Sequence, residues 1–506
     1  MSLLPPVFLV GAGPGHPGLL TLRAVECLRQ ADLVLFDKLV SPLILEHAPA
    51  DAEKICVAEI APHHDQRIVP IHETMIAAAR AGRRVVRLKG GDPYVFGRGA
   101  EEAEVLHAAG IPFEVVPGVT AALGAAAYAG ISLTHRACAS AVAFVTGHEN
   151  PHKPESILDW NALARFPGTL VIYMGMSRLD RIVAALIAAN KDPLTPAAAV
   201  QCATLGQQRT VVGTLGDLPR LVREEGLAAP ALLLIGAVVA QRDTLAWFER
   251  QPLFGKRILV TRPRQQAGAL VHRLVELGAV PFVLPTVEIR EPQDWQPVDD
   301  AIHALRHYDW LVFTSANGVR SFLGRLESLG FDLRALGNVR LAAIGPKTAE
   351  ALRDFRLKAD LVPARYQSED LAAELLTQVK PKQRVLLARA DRGRDVLRET
   401  LSQVCQVEQV AVYSQVDALD LDEDVMNALR RGEIEFITLT SSNIAKSLLT
   451  RLDATCLRRI ENGEIKLVSI SRVTSAEIET LGYKVAAEAT EATAEGIVDA
   501  LTKWVR

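Results

Sequence analysis

The chain has 506 residues, 49% of them hydrophobic and 23% charged, with a formal net charge of −3. That length exceeds one ordinary core and predicts several globular domains, while the near-neutral balance excludes a polybasic surface for nucleic acid or membrane. Six single cysteines, at 27, 56, 138, 202, 405 and 456, form no C-x-x-C pair, which argues against zinc, a redox pair or a disulfide framework, so no metal is expected.

Short β-branched runs alternate with helical spacing along the whole chain, which predicts α/β architecture with mostly parallel sheets. The opening MSLLPPVFLV lacks a basic segment or cleavage site, and the longest apolar run, 231–240, is too short to span a bilayer; a cytoplasmic location is expected. In the first half, strands are predicted at 7–10, 33–36, 85–88, 113–116, 142–146, 169–173 and 231–236, with helical spacing over 101–109 and 178–189. The rhythm pauses over 241–256 and restarts with RILVT at 257–261. This predicts a first domain over 1–245, a linker over 246–255 and a second domain over 256–506.

The second half repeats itself. FTSANGVRSFL (313–323) returns as LTSSNIAKSLL (439–449), and AIGPKTAEA (343–351) as SISRVTSAE (469–477), both offset by 126 residues. RILVTRPRQ (257–265) returns as RVLLARADR (384–392), one residue further on. Two similar α/β lobes with a ligand cleft between them are predicted. The repeat argues architecture before chemistry.

Among the motifs of the first half, GAGPGHPG (11–18) lies between a strand and a helix, where glycines admit close backbone approach and helix-start N–H groups favour an anion. Asp37 ends the second strand, as a ribose-binding acid does in a dinucleotide fold, but His16 replaces the third glycine of that fingerprint. A tight structural turn explains this motif alone equally well. LKGGDPYVFGRGAEEAE (88–104) is more specific: Gly90 and Gly91 bare the backbone beside the Asp92 carboxylate, a surface against which a nucleoside can lie. VVPGVTAA (115–122), LTHR (133–136), FVTGH (144–148) and VIYMG (171–175) follow in order.

Together these segments resemble the uroporphyrinogen-III methyltransferases of the tetrapyrrole methylase family, over about residues 6–241. The resemblance implies two unequal α/β lobes, about 1–117 and 118–245, with S-adenosyl-L-methionine between them and a homodimer outside. It implies cofactor contacts at Pro14, Gly90, Gly91, Asp92, Val95, Thr120, Ala121, Met174 and Ala203, and a proton acceptor in Asp37 of FDKLV. Methyl transfer to an already electron-rich pyrrole carbon asks for positioning and proton removal. The eight carboxylates of the substrate ask for guanidinium forks, for which Arg98 and Arg136 are candidates. One departure stands out. Where the family has V-G-K-R, this chain reads VAEI (57–60), so Glu59 replaces the lysine proposed as proton donor. Either His63 or His64 takes over, the lysine is dispensable, or this half acts on a related tetrapyrrole.

In the second half, FTSANG (313–318) and FITLTSSN (436–443) end strands with hydroxyl- and amide-rich turns at helix starts, which serve as helix caps or as anion cradles. With AIGPKTAEAL, LLARADRGRDVLRETL and VAVYSQ they resemble uroporphyrinogen-III synthase, over about 256–502. The resemblance implies two flavodoxin-like lobes, one from 256–285 plus 415–506 and the other from 286–414. It implies a cleft lined by Thr314, Ser315, Asn317, Thr440, Ser441, Ser442 and Thr474, with Arg262, Arg389 and Arg392 as carboxylate partners. Tyr413 would assist hydroxyl loss as hydroxymethylbilane closes with inversion of ring D. The expected whole is a bifunctional enzyme whose rear half makes uroporphyrinogen III and whose front half methylates it twice to precorrin-2. Three rivals are an active synthase with a degenerate cofactor- and tetrapyrrole-binding front half, a nucleotide-linked oxidoreductase, and a periplasmic-type binding protein. Sirohaem and cobalamin stay equally open as destinations.

Overall fold

A computed structural model of the chain describes residues 7–60, 68–148, 158–393, 395–419 and 421–506. Two compact units emerge, Met1–Arg257 with His272–Pro281 and Val505–Arg506, and Ile258–Val271 with Phe282–Trp504. Among the described residues no helix is long and apolar enough to cross a membrane.

The first unit holds two five-stranded sheets. One contains β1 (Val7–Gly11), β2 (Leu33–Phe36), β3 (Glu53–Cys56), β4 (Val85–Lys89) and β5 (Phe113–Val116), in the order β3-β2-β4-β1-β5. All its pairings are parallel. Apolar clusters cover both faces, built around Leu28 and Ile44 on one side and Met75 and Leu106 on the other, which is why β1 and β2 read as continuous apolar runs; the edge strand β3, EKIC, does not and falls outside the predicted strands.

The other sheet departs from the expectation of parallel strands. It contains β6 (Val142–Thr146), β7 (Thr169–Tyr173), β8 (Pro196–Gln201), β9 (Arg209–Thr214) and β10 (Ala231–Ile235), in the order β6-β7-β10-β8-β9. Only β6 and β7 run parallel; the β7-β10, β10-β8 and β8-β9 pairings are antiparallel. The sequence PAAAVQ of β8 carries small residues that fit a helix as well as a strand, so periodicity gives no signal there. The start of the expected linker is tied to this unit: Phe248 is buried against Tyr128, and Glu249 accepts hydrogen bonds from Arg242 and Gln208.

The second half builds two more five-stranded sheets. The first contains β11 (Arg257–Val260), β12 (Val280–Val283), β18 (Phe436–Leu439), β19 (Lys466–Ser469) and β20 (Val485–Glu488), in the order β12-β11-β18-β19-β20. The second contains β13 (Val287–Arg290), β14 (Trp310–Phe313), β15 (Arg340–Ala343), β16 (Arg384–Ala390) and β17 (Gln406–Asp417), in the order β13-β17-β16-β14-β15. Within its own lobe the first sheet has the 2-1-3-4-5 strand order of flavodoxin-like folds. The second has 2-1-3-4, with β13 added antiparallel at the far edge.

The internal repeat now acquires a spatial meaning. It equates β11 with β16, β18 with β14 and β19 with β15, and in both sheets these three are consecutive neighbours in that order. The chain enters the two lobes at different strands, so sequence copies that run in opposite directions between lobes superimpose on one pattern.

Candidate active sites

In the first unit, three loops at the carboxyl ends of parallel strands meet backbone to backbone, where ligands of open α/β sheets commonly bind. Gly13 and Gly91 exchange N–H···O bonds of 3.1 and 2.8 Å, joining GAGPG to LKGGD. A Cβ on Gly118 would lie 2.2 Å from the Gly91 carbonyl oxygen, and one on Gly11 would lie 2.6 Å from the Gly118 Cα. Only glycine permits this approach. Beside it Gly90 is exposed, with open space where a side chain would stand.

Asp92 stitches the loops together. One carboxylate oxygen accepts the Tyr94 N–H at 2.8 Å and the other the Gly118 N–H at 3.0 Å. Thr120 is buried, its hydroxyl 2.7 Å from the Tyr173 hydroxyl, which also accepts the Ala122 N–H at 3.0 Å. Burial pushes the Tyr173 phenol above its ordinary pKa, so it serves as a neutral hydrogen-bonding post. Val95, Ala121 and Ala203 pack on one apolar cluster that includes Tyr173. Pro14 lies over Gly124, and the next turn joins the same wall through His16 N–H to Thr204 Oγ1 at 3.1 Å. Sequence-predicted contacts from both sheets of this unit therefore gather in one region. Met174 is exposed, with a positive φ shared by Phe96, Arg98, Cys202 and Thr204. Non-glycine residues held there store backbone strain, which gathers at ligand sites.

Asp37 lies beside the Gly90 loop. Its carboxylate accepts Arg87 Nη2 at 2.5 Å and the Gly90 N–H at 3.3 Å. Burial works against its ionisation, yet the Arg87 and Lys89 charges and these two hydrogen bonds hold its carboxyl below the ordinary range. Arg98 is bound to Glu101 by contacts of 2.6 to 3.1 Å, and Arg136 is exposed in the loop bridged by His135 and Ala139. Glu59 is exposed on the short helix Val57–Ile60; His63 and His64 lie outside the described residues.

Arg87, Lys89 and Glu102 escaped the sequence reading. A signal existed: two cations at alternate positions of an otherwise apolar strand, VVRLK, must find a buried counter-charge.

The second unit carries its polar groups differently. In the β13–β17 lobe, Tyr413 is buried, and its hydroxyl lies 3.0 Å from Ser315 Oγ. Ser315 also caps the helix Ala316–Ser328 by accepting the Gly318 N–H at 2.9 Å. Thr314 and Asn317 flank this turn, half-buried. Burial raises the Tyr413 phenol, which the hydrogen bonds with Ser315 and Gln415 and the Arg389 charge partly offset. Arg389 is buried with Asp395 at 3.5 Å, and exposed Arg392 faces Asp417 at 3.4 Å.

In the β18–β20 lobe, Ser441 caps the helix Ser442–Leu449 through the Ile444 N–H, beside half-buried Thr440. Ser442 Oγ donates to the Val473 carbonyl at 3.4 Å, while Thr474 is buried, its Oγ1 3.4 Å from Ser471 Oγ. Arg262 is half-buried after β11, and burial lowers its pKa against the nearby Glu495 charge. In the β13–β17 lobe the structure brings Ser315 and Tyr413 together, and in the β18–β20 lobe Ser442 meets the turn that carries Thr474.

Such loops at sheet ends, one set walled by glycine backbone and the other by hydroxyls, define a two-module α/β enzyme. Residues 6–219 match the family described as tetrapyrrole (corrin/porphyrin) methylases, and residues 268–499 match uroporphyrinogen-III synthase HemD. A porphyrin biosynthesis protein HemD of Ruminiclostridium josui is 37% identical over 447 residues, covering 88% of each chain. An S-adenosyl-L-methionine-dependent uroporphyrinogen III methyltransferase of Methanosarcina barkeri is 49% identical over 47% of this chain and 94% of its own. Of the siroheme synthase of Chromobacterium violaceum, 50% identical, the chain covers about half, 52%. Among solved structures, the uroporphyrin-III C-methyl transferase of Thermus thermophilus complexed with S-adenyl homocysteine is 41% identical, with 46% and 93% covered and a TM-score of 0.39. The chain belongs to the tetrapyrrole methylases through its first half and to the uroporphyrinogen-III synthases through its second.

Proposed function

We propose that the chain carries out two consecutive steps of tetrapyrrole synthesis. The rear half closes hydroxymethylbilane to uroporphyrinogen III with inversion of ring D, and the front half methylates that product twice to precorrin-2. The observation that carries this reading is the close glycine backbone approach at Gly11, Gly91 and Gly118 with Asp37 bound to the adjoining Gly90 N–H, in a chain that aligns over 447 residues with a porphyrin biosynthesis protein.

The residues present fit S-adenosyl-L-methionine. Pro14, Gly90, Gly91, Asp92, Val95, Thr120, Ala121, Met174 and Ala203 would hold it, with bare backbone on one wall and the apolar cluster beneath. When bound it supplies an electrophilic methyl group. Asp37, held ionised, accepts the proton that each methylated pyrrole must lose. Arg98 and Arg136 would engage substrate carboxylates; for Arg98 this means exchanging Glu101 for a substrate acid. In the rear half, Tyr413 supports departure of the bilane hydroxyl as a neutral donor. Ser315, Thr314, Asn317, Thr440, Ser441, Ser442, Thr474 and Arg262 would hold the carboxylates.

The boundaries proposed are 1–245 and 256–506, with a homodimer formed through the front half in the cytoplasm. Incubation with hydroxymethylbilane and methyl-labelled S-adenosylmethionine is expected to yield a tetrapyrrole bearing two labels. Unmethylated uroporphyrinogen III accumulating while the nucleoside binds would leave only the synthase; selective binding of NAD would overturn the front-half assignment.

A further inference from the structure

Four charged side chains from three elements form a continuous buried network behind the Gly90 loop. Arg87 and Lys89 project from β4, Glu102 from the helix Gly99–Ala108, and Asp37 from the end of β2. Arg87 donates through Nε to Glu102 at 2.9 Å, through Nη1 to the Leu35 and Leu88 carbonyls at 3.3 and 3.2 Å, and through Nη2 to Asp37 at 2.5 Å. Lys89 Nζ donates to Glu102 at 2.9 Å. The side chains of Arg87, Lys89 and Glu102 are 4%, 3% and 7% exposed, whereas that of Asp37 is 33% exposed. Two cations face two carboxylates, and the one partly exposed carboxylate is Asp37.

This is more apparatus than folding requires. A buried salt-bridge network contributes little net stability over an apolar core of the same volume. A guanidinium clamped on a buried carboxylate and two carbonyls, however, has no rotational freedom left, so its last N–H defines a single position for the group it meets. We propose that Arg87 and Glu102 are positioning residues that fix the Asp37 carboxylate against the Gly90 loop for proton acceptance during methyl transfer, with Lys89 balancing the charge of Glu102. This rests on the function proposed for the front half.

The charged groups around Asp37 are Arg87 and Lys89 on β4 and Glu102 on the facing helix; beyond Glu102 lies His72, near Glu101 and Arg98. His72 is buried, with Nε2 lacking a hydrogen-bond partner among the described residues, and burial keeps it on the neutral side, so it adds no charge near neutral pH. Burial also lowers the Lys89 ammonium pKa, which Glu102 and Asp37 oppose. Removing Arg87 would leave burial acting on Asp37 with much less opposition, so its protonation would move up in pH. Charge on Arg87 matters for that shift; the fork geometry matters for the rate.

The test is the pH profile of methyl transfer to uroporphyrinogen III, run with calorimetric binding of S-adenosylhomocysteine and thermal melting. Wild type is expected to be flat on its acid side down to about pH 5, because the carboxylate lies below the ordinary value of about 3.9. Arg87→Gln is expected to show an acid limb that begins at a higher pH than any in wild type. Arg87→Lys should restore the flat profile but keep a kcat roughly 10-fold or more below wild type. Glu102→Gln should stay flat, lose kcat about 10-fold and bind S-adenosylhomocysteine within about 3-fold of wild type. A flat profile in Arg87→Gln, with rate losses that follow melting temperature alone, overturns the proposal. If Arg87→Gln does not fold, an unchanged kcat in the isosteric Glu102→Gln overturns it instead. Wild type that transfers no methyl group sinks the function itself, and Asp37→Asn with undiminished transfer sinks the role of Asp37. Both outcomes are distinct from failure of the positioning role.

Discussion

The two halves of this chain share α/β construction but weight the chemistry of their sites differently, although the rear half also buries one charge, Arg389, near Tyr413. The front half buries full charges, with Arg87, Lys89 and Glu102 behind Asp37, and packs glycine backbone against glycine backbone. The rear half presents hydroxyls at helix starts, with Ser315 and Ser441 capping and Tyr413 buried beside Ser315. The difference follows from the steps proposed. Removing a proton beside a bound sulfonium needs a fixed anion, and a fixed anion needs buried partners. Holding a flexible polyanion while rings close needs many donors and little charge reorganisation, which backbone and hydroxyl groups supply.

Substitutions confined to one half test that contrast, because a single chain reports both activities. Asp37→Asn keeps the shape but removes the proton acceptor; methyl transfer is expected to fall by about 10²–10⁴-fold while synthase turnover stays within about 2-fold of wild type. An equal fall in both activities would mean that the variant damages the whole chain. Gly118→Ala places a methyl group 2.2 Å from the Gly91 carbonyl oxygen, so the two loops must part. We expect roughly a 10²-fold loss of methyl transfer and a matching loss of S-adenosylhomocysteine affinity by calorimetry, again with the synthase unaffected. Tyr413→Phe is milder: it preserves the buried ring and removes only the hydroxyl facing Ser315. Synthase turnover should fall about 10-fold with methylation unchanged, and full synthase activity in this variant would remove Tyr413 from the mechanism.

Much of this contrast was legible beforehand, but unevenly. Four strands of the first sheet, β1, β2, β4 and β5, announced themselves because strands covered on both faces read as apolar runs such as VFLV and LVLF, whereas the partly exposed edge strand β3, EKIC, carried no such run. Nor did β8 announce itself, since PAAAVQ offers neither β-branched density nor alternation; β9, RTVVGT, does carry β-branched residues and was passed over with its partner. The repeat in the rear half was visible as copied segments and the resemblance implied the split of the lobes, whereas the shared neighbour order of the copied strands in the two sheets became visible only with the topology. At the front site, the glycine motifs pointed to a crevice. Arg87 passed as part of a strand because its partners lie 15 and 50 residues away. Asp92 was read as facing a ligand, and its carboxylate oxygens also hold the Tyr94 and Gly118 N–H groups; sequence indicates a carboxylate's presence more readily than its prior commitments.

The smallest expected effect separates the two lobes of the rear half. Ser315 and Ser441 occupy equivalent places in the repeat, and both accept the N–H three residues on, from Gly318 at 2.9 Å and Ile444 at 3.2 Å. As helix caps they are interchangeable, so Ser315→Ala and Ser441→Ala should each cost about 1 kcal/mol in denaturant unfolding. Ser315 has a second partner in Tyr413, so the cap in that lobe also orients the phenol. Ser315→Ala is therefore expected to lower synthase turnover about 3-fold beyond what Ser441→Ala does, at equal loss of stability, the effect of one neutral hydrogen bond. If the two variants match in turnover as well as stability, the repeated turns are caps alone, and the asymmetry between the lobes lies elsewhere than in the Ser315–Tyr413 contact.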